Sequence, residues 1–282
     1  MTGSWRFVVT SAGEANGGGH DAALAFNSAG QRLGFFSDDA RIVDPRGMSL
    51  DPAGDLVYLN SGDDRVLALD RYGAVVRDSG RIPGLNPGGG TFGFDGRYYM
   101  TVRSRRTIVG MPATLDGSAR ALLPDDVVPF PRGFAFAQDG SLYFASGIGP
   151  SGEGNNTIVV FDRDRALRTQ RLVTDPELSP LDLTLAPNGH ILVASEFPFG
   201  AADAVASVRE YEPTTGELVR VFAPDPSLNF RRPRGLRFGP DGRFYCVGQD
   251  HVMAFDFATG ASLGPAVECQ RLNGQALVQL GV

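Results

Sequence analysis

Short runs of alternating apolar and polar residues recur along this chain, and turn-forming residues bound them. Residues 56–59 and 142–145 are two of these runs, and each follows a turn that contains glycine. An Asp-Gly or Asn-Gly pair between two such runs is the strongest short sequence signal for a β-hairpin. The pattern therefore predicts antiparallel sheet along most of the chain.

The hairpins belong to a longer unit that occurs five times, with a proline nine positions before each turn glycine. The five copies begin at Pro45, Pro87, Pro131, Pro180 and Pro233. Two further short strands follow each hairpin, for example at residues 65–70 and 74–76. A fixed period of this kind indicates one stacked supersecondary unit, and four antiparallel strands per unit are typical of a β-propeller blade.

The two ends of the chain predict how the ring closes. Residues 273–281 begin a sixth copy, and three predicted strands near the N-terminus have no inner strand before them: residues 5–10, 22–26 and 32–36. We expect Leu277 and Val278 to pair with residues 7–9, because this would remove two free sheet edges. The sequence thus predicts an all-β, six-bladed propeller that forms a single domain over residues 1–282, with blade one closed by the C-terminal strand.

Composition narrows the functional classes. A net charge of −6 argues against a nucleic-acid partner, and no apolar run is long enough to suggest a membrane partner. The first residues enter a predicted strand at once, which leaves no room for a signal peptide, so we expect a cytoplasmic protein. Cys246 and Cys269 are too few for a disulfide framework. All 26 basic residues are arginine, which excludes a Schiff-base lysine.

The repeat carries a resemblance to known proteins. Its order of Pro-x-Gly, an apolar stretch, Asp-Gly and then residues such as Leu142-Tyr143-Phe144-Ala145 resembles NHL-repeat propellers over nearly the whole chain. It is also similar to the wider group that holds the streptogramin lyases and the senescence-marker protein and gluconolactonase family. The resemblance implies the six-bladed fold. It implies no single activity, because propellers support unrelated chemistries.

The resemblance also bears on metal binding. In the gluconolactonase family a Glu, an Asn and an Asp bind the metal from the position before the glycine that begins an inner strand. Here these positions hold Arg46, Gly88, Arg132, Leu181, Arg234 and Asn273. Only Asn273 matches such a ligand, and the arginines would repel a cation. Streptogramin lyases carry histidines at some of these positions, whereas this chain has none. We therefore expect no metal and no other cofactor.

The arginines at these positions form the first candidate site. Arg46, Arg132 and Arg234 occupy one repeat position in alternate blades, so the repeat geometry should direct all three toward the channel axis. Like charges this close are unfavourable unless carboxylates or an anionic ligand compensate them. Three interpretations remain open: the mouth binds a small anion, the arginines pair with neighbouring acids such as Asp44, Asp63, Asp182 or Glu196, or the arginines are simply exposed to solvent.

Three long loops should surround this channel mouth, at residues 11–21, 146–156 and 195–205. The third loop contains Glu196, Phe197 and Phe199, and its two phenylalanines either pack on the blade or line a ligand pocket. With Asn273 and the three arginines, these residues complete the predicted ligand-binding set. Loops of this kind carry function in propellers while the blades act as a scaffold.

Candidate catalytic residues come from the same face. His20 and His251 fall in or beside mouth-face loops of neighbouring blades, and Glu14 is expected nearby. A histidine with a carboxylate can act as a general base near neutral pH. The first functional hypothesis is therefore a cytoplasmic lyase, isomerase or hydrolase that acts on a small anionic molecule. The alternatives are a non-catalytic propeller that binds a small molecule or a protein segment at this mouth, or a scaffold without a pocket.

Overall fold

The computed structural model describes residues 5–12, 20–148 and 154–281. These residues form six four-stranded antiparallel sheets arranged as a six-bladed β-propeller. The only helix found in the described ranges is a short 3-10 turn at Pro226–Leu228. No helix in these ranges is long and apolar enough to cross a membrane.

The strands follow the chain from blade to blade. Blade one receives β1 (Trp5–Ser11), β2 (Ala22–Asn27) and β3 (Arg32–Ser37). Blade two contains β4 (Gly47–Leu50), β5 (Val57–Ser61), β6 (Arg65–Leu69) and β7 (Val75–Asp78). Blade three contains β8 (Pro87–Phe92), β9 (Tyr98–Val102), β10 (Thr107–Met111) and β11 (Arg120–Ala121).

The second half of the ring repeats this order. Blade four contains β12 (Pro131–Phe136), β13 (Leu142–Ile148), β14 (Gly154–Phe161) and β15 (Leu167–Thr169). Blade five contains β16 (Pro180–Leu185), β17 (Ile191–Phe197), β18 (Val205–Tyr211) and β19 (Leu218–Phe222). Blade six contains β20 (Arg234–Phe238), β21 (Phe244–Val247), β22 (His251–Phe255) and β23 (Ser262–Glu268), and β24 (Leu277–Gly281) then returns to blade one.

The predicted ring closure is confirmed. Strand β24 is the inner strand of blade one and pairs antiparallel with β1. Val278 lies opposite Val8, and Leu277 lies opposite Val9. The C-terminal strand therefore supplies the inner strand that the three N-terminal strands lack, and blade one has four strands like the other blades.

Two glycines of the repeat have different structural roles. The turn glycine adopts a left-handed backbone, with φ of +88° at Gly140, a conformation that glycine adopts without steric cost. The glycine of the Pro-x-Gly motif instead allows close approach of neighbouring inner strands. A Cβ on Gly133 would lie 1.7 Å from Oδ1 of Asp182. The motif therefore recurs because the inner strands converge on the channel axis.

The core consists of six clusters of buried side chains, one at each junction between neighbouring blades. At the junction of blades one and six, Phe7 and Val9 pack with Tyr245 and Val247. Each blade alone would leave both of its faces exposed, so the hydrophobic stabilisation belongs to the closed ring. This rigid ring holds the first residues of all inner strands around one opening of the channel.

Candidate functional site

The opening where the inner strands begin is surrounded by guanidinium groups, and we call it the arginine mouth. Arg46, Arg132 and Arg234 line it as predicted from the repeat, and a fourth arginine, Arg103, joins them. The space between these side chains is about 40 Å³. This is room for a few waters or for one small charged group, so the body of a larger ligand would lie above the mouth.

Arg103 was missed because it follows β9, the second strand of blade three, and not an inner strand. The equivalent inner-strand position is Gly88, and a Cβ there would lie 3.4 Å from Nε of Arg103. The absence of a side chain at Gly88 therefore leaves the space that Arg103 occupies. The sequence signal for this fourth arginine is a glycine, Gly88, at the inner-strand position where other blades carry arginine, together with an arginine just after the next strand.

Burial and mutual repulsion both act on these cations. The pKa of Arg132 is lowered to about 9. Burial is the largest cause, and the nearby charges of Arg103 and Arg234 act in the same direction. The pKa of Arg103 falls to about 10 for the same reasons, with Arg46 and Arg234 as its cationic neighbours. Both groups stay protonated at neutral pH, so the folded protein carries concentrated positive charge at this opening.

The four arginines differ in their partners. Nε of Arg46 donates a hydrogen bond to Oδ2 of Asp44 at 2.7 Å, and its side chain also contacts Asn86. Arg132 donates to the carbonyl oxygen of Ile148 at 3.2 Å. The buried Nε atoms of Arg103 and Arg132 have no hydrogen-bond partner. Of the four arginines at the mouth, Arg46 alone has a carboxylate hydrogen-bond partner among the described residues.

The other acids proposed as partners bind elsewhere. Asp63 pairs with Arg65 at 2.9 Å. Asp182 borders the mouth, but the arginine it approaches, at 3.6 Å, is Arg237, which also borders the mouth. The guanidinium of Arg234 makes no hydrogen bond or ion pair within the described parts of the chain. Internal pairing therefore explains Arg46 and leaves Arg103, Arg132 and Arg234 without a carboxylate in direct contact among the described residues.

Glu196 is a buried carboxylate beside this mouth. Its Oε1 accepts hydrogen bonds from Nε of Arg231 at 3.1 Å and from the backbone N–H of Arg232 at 2.8 Å. Its Oε2 is buried without a hydrogen-bond partner. Burial is the main cause that lowers the pKa of Arg234, and the charge of Glu196 opposes this shift. Glu196 is therefore close enough to act on the electrostatics of the arginine mouth.

Aromatic rings hold Arg132 in place. Its guanidinium lies 4.5 Å from the ring centre of Phe130 and 5.3 Å from that of Phe199. Phe199 is 38% exposed and reaches the mouth from the blade-five loop. Phe197 is the last residue of β17, where it lies opposite Val205. The structure thus brings Phe199 to the arginine mouth, whereas Phe130 was not predicted.

The two candidate catalytic histidines do not line this mouth. The ring of His20 stacks on Phe35 in the outer strand of blade one, with centroids 5.7 Å apart. His251 begins β22, and its Nδ1 is buried without a hydrogen-bond partner. Neither side chain lines the mouth. Glu14 falls outside the described residues.

In blade one the structure places Gln275 at the mouth, whereas the repeat predicted Asn273 there. Gln275 and Ala276 line the mouth in this blade, at the positions that Arg46 and Gly47 hold in blade two. Asn273 lies two residues earlier, and its backbone N–H donates to the carbonyl oxygen of Gln249 at 2.6 Å. The C-terminal copy lacks the proline of the motif, so the alignment on its glycine was displaced by two residues.

A metal centre has no obvious ligand set in this arrangement. No group of three or more His, Cys, Asp or Glu side chains within the described ranges is placed to hold a metal ion. The mouth itself presents mainly guanidinium groups, with one carboxylate from Asp182, a leucine and an amide. These donors suit an anion, because arginine supplies only N–H groups in a planar fork.

The fold is shared with propeller enzymes of known structure. The chain is similar to a gluconolactonase from Xanthomonas campestris, at 18% identity and a TM-score of 0.63, with 83% of this chain and 78% of the other covered. A streptogramin B lyase matches at 14% identity and a TM-score of 0.56, over 79% and 69% of the two chains. A putative 6-phosphogluconolactonase from Bacteroides uniformis matches at 14% and 0.63, over 99% and 100%.

These likenesses show that the chain shares the six-bladed β-propeller fold of these proteins. The identities are low, so what they establish is a common fold. No protein-family model and no curated protein matches the sequence. Function has to be argued from the residues of the mouth.

Proposed function

We propose that this propeller binds a small anionic molecule at the arginine mouth, through a carboxylate or phosphate group held by Arg103, Arg132 and Arg234. The observation that carries the proposal is that none of these three partly buried cations forms an ion pair with a carboxylate among the described residues. Charge-assisted hydrogen bonds from guanidinium to an oxyanion are short and strong. An anion at this point would satisfy the free Nε donors and would remove the repulsion between the arginines.

The proposal assigns unequal roles to the ring. Arg46 already shares its charge with Asp44 at 2.7 Å, so its contribution to ligand binding should be smaller. Arg132 is held between Phe130 and Phe199, which fixes the direction of its guanidinium. Pre-organised groups lose less conformational entropy on binding. Arg132 and Arg234 should therefore dominate the affinity.

Titration calorimetry with inorganic phosphate and with malonate tests this. The variants Arg132→Ala and Arg234→Ala should each weaken binding by about ten- to a hundredfold, because a charge-assisted hydrogen bond contributes about 1.5–3 kcal/mol. Lysine at either position should restore little, since a point charge does not replace the planar fork. Arg105→Ala is the matched control, because Arg105 forms an exposed ion pair with Asp125.

The same variants distinguish the alternative of internal ion pairing. No carboxylate is left unpaired when Arg234 is removed, so the melting temperature should stay level or rise as the repulsion is relieved. A clear fall in the melting temperature, together with no anion binding by the unmodified protein, would refute the proposal.

Catalysis on the bound anion is a second candidate function, and Glu196 favours it. Its Oε2 is buried, unpartnered and close to Arg234, and such a carboxylate can transfer a proton to or from a bound molecule. The similar structures include lactonases and a lyase. A lyase, isomerase or hydrolase activity would then use the arginines for binding and Glu196 for proton transfer.

An acid-release assay with 6-phosphogluconolactone as the probe tests this second candidate. Glu196→Gln keeps the size of the side chain and its contact to the backbone of Arg232, so phosphate binding should persist while turnover falls by a hundredfold or more, roughly the upper range of one general acid–base group. Equal turnover in both proteins would exclude Glu196 as the proton-transfer group.

A further inference from the structure

The opposite opening of the channel is a separate cavity with different chemistry. The inner strands end there, and their last residues enclose a space of about 650 Å³. We call it the apolar funnel. This volume is within the range of sites that bury small organic molecules. It is more than ten times the space at the arginine mouth.

The funnel is built from two rings of the repeat. The penultimate inner-strand position supplies small or polar side chains, and the final position supplies large apolar ones. The first ring includes Ser49, Thr91, Ala135 and Thr184, and the second includes Leu50, Phe92, Phe136, Leu185 and Phe238. Trp5 and Phe94 extend the apolar wall, and Phe94 is 73% exposed. An exposed aromatic side chain at the edge of an aromatic cavity suggests a surface that a ligand covers.

One charged side chain, Arg237, reaches this cavity from the first ring. It donates hydrogen bonds to the carbonyl oxygens of Leu236 at 2.7 Å and Met48 at 3.1 Å. Its carboxylate neighbour, Asp182, is 3.6 Å away and accepts a hydrogen bond from the backbone N–H of Leu236. The guanidinium is thus anchored on carbonyl oxygens, and its charge is only partly balanced by this long ion pair.

We propose that the apolar funnel binds an amphipathic small molecule, with an apolar body against the phenylalanines and a carboxylate directed at Arg237. The two chemistries are complementary to the funnel, which has an apolar wall and one cation at its base. The threonine hydroxyls of Thr91 and Thr184 make no side-chain hydrogen bond within the described residues, so they remain available to a ligand oxygen. The arginine mouth lies at the other end of the channel, and Arg237 borders both cavities.

Trp5 provides a local reporter of this site. It is the only tryptophan in the chain, it lines the funnel, and its ring packs edge-on against Phe7 with centroids 4.7 Å apart. Titration with decanoate should change the emission of Trp5 in a saturable way. Decanamide has the same apolar chain without the charge, and it should bind about tenfold or more weakly if the carboxylate contacts Arg237.

Substitutions at exposed aromatic residues test the location. Phe94→Ala should weaken decanoate binding by about three- to tenfold, because part of the apolar contact is removed. Tyr72→Ala is the matched control, since Tyr72 is 80% exposed and lies outside the funnel. Arg234→Ala changes the arginine mouth and should leave the Trp5 response to decanoate unchanged.

Each result decides one part of the proposal. No saturable change at Trp5, or equal weakening by Phe94→Ala and Tyr72→Ala, would overturn the funnel as a ligand site. Equal affinity for decanoate and decanamide would overturn the role of Arg237. Loss of phosphate binding at the mouth would affect neither outcome, so the two sites succeed or fail separately.

Discussion

The closure of blade one by strand β24 makes a strong prediction about stability. Deleting the chain from Leu277 onward would remove the inner strand of blade one and expose the edge of β1. Leu277, Val278 and Leu280 are each at most 3% exposed in the closed ring. Burial of one such side chain contributes about 1.5–3 kcal/mol, so the three together contribute about 5–9 kcal/mol.

This loss is comparable with the whole free energy of unfolding of a typical domain, about 5–15 kcal/mol. We therefore expect the shortened protein not to fold as a soluble monomer. The milder variant Leu277→Ala should lower the free energy of unfolding by about 2–5 kcal/mol. At roughly 2–4 °C per kcal/mol for a chain of this size, the melting temperature should fall by about 4–20 °C. Calorimetry and size-exclusion chromatography measure both outcomes.

A circular permutant tests whether stability depends on closing the ring and not on where the chain begins and ends. Trp5 and Gly281 lie opposite each other in the sheet, so a short Gly-Ser turn can join them. New ends between Ala53 and Gly54, in an exposed turn, would make β4 the C-terminal strand of blade two. This protein should fold, because the ring is closed in the same manner one blade later. A deletion protein that melts at the same temperature as the full chain would refute the argument.

Two further predictions concern packing and pH. Gly133→Ala should lower the free energy of unfolding by about 1–3 kcal/mol, because the added Cβ would lie 1.7 Å from Oδ1 of Asp182. Gly281→Ala is the control: its added Cβ would have no atom within 4 Å, so the melting temperature should stay nearly unchanged. Asp39 has a pKa lowered from 3.8 to about 2 by its hydrogen bond from Arg41. Its contribution to stability is therefore present above about pH 4 and lost as the pH falls through 2. The difference in melting temperature between the native protein and Asp39→Asn should narrow over this range, and a constant difference would contradict the assignment.

The fold was predictable because the repeat records it directly. Proline, glycine and the turn recur at fixed spacing, and each has a local backbone reason that does not depend on distant contacts. The same logic identified the pairing of Leu277 with Val9. It failed on the register of the C-terminal copy, where Gln275 takes the mouth position. That copy lacks the proline, so its glycine alone could not define the alignment.

The sequence predicted three of the arginines that line the mouth, but not which of them pair with carboxylates. The repeat directs Arg46, Arg132 and Arg234 to one opening, since equivalent positions face the same way. Which arginine finds a carboxylate depends on side-chain direction and on neighbouring blades, as the contact of Arg46 with Asp44 shows. Arg103 entered the mouth from a second strand, a position that an alignment of inner strands does not examine.

The two openings follow from one property of the fold, which is that all inner strands run in the same direction along the channel. The first residue of each strand therefore contributes to one ring, and the last residue contributes to another. Repulsion among uncompensated arginines destabilises the folded chain, so stability does not explain the first ring. An apolar wall open to water, with Phe94 73% exposed, is likewise unfavourable by itself. The two ligands that we propose, a small anion at the arginine mouth and an amphipathic carboxylate in the funnel, would each remove one of these costs.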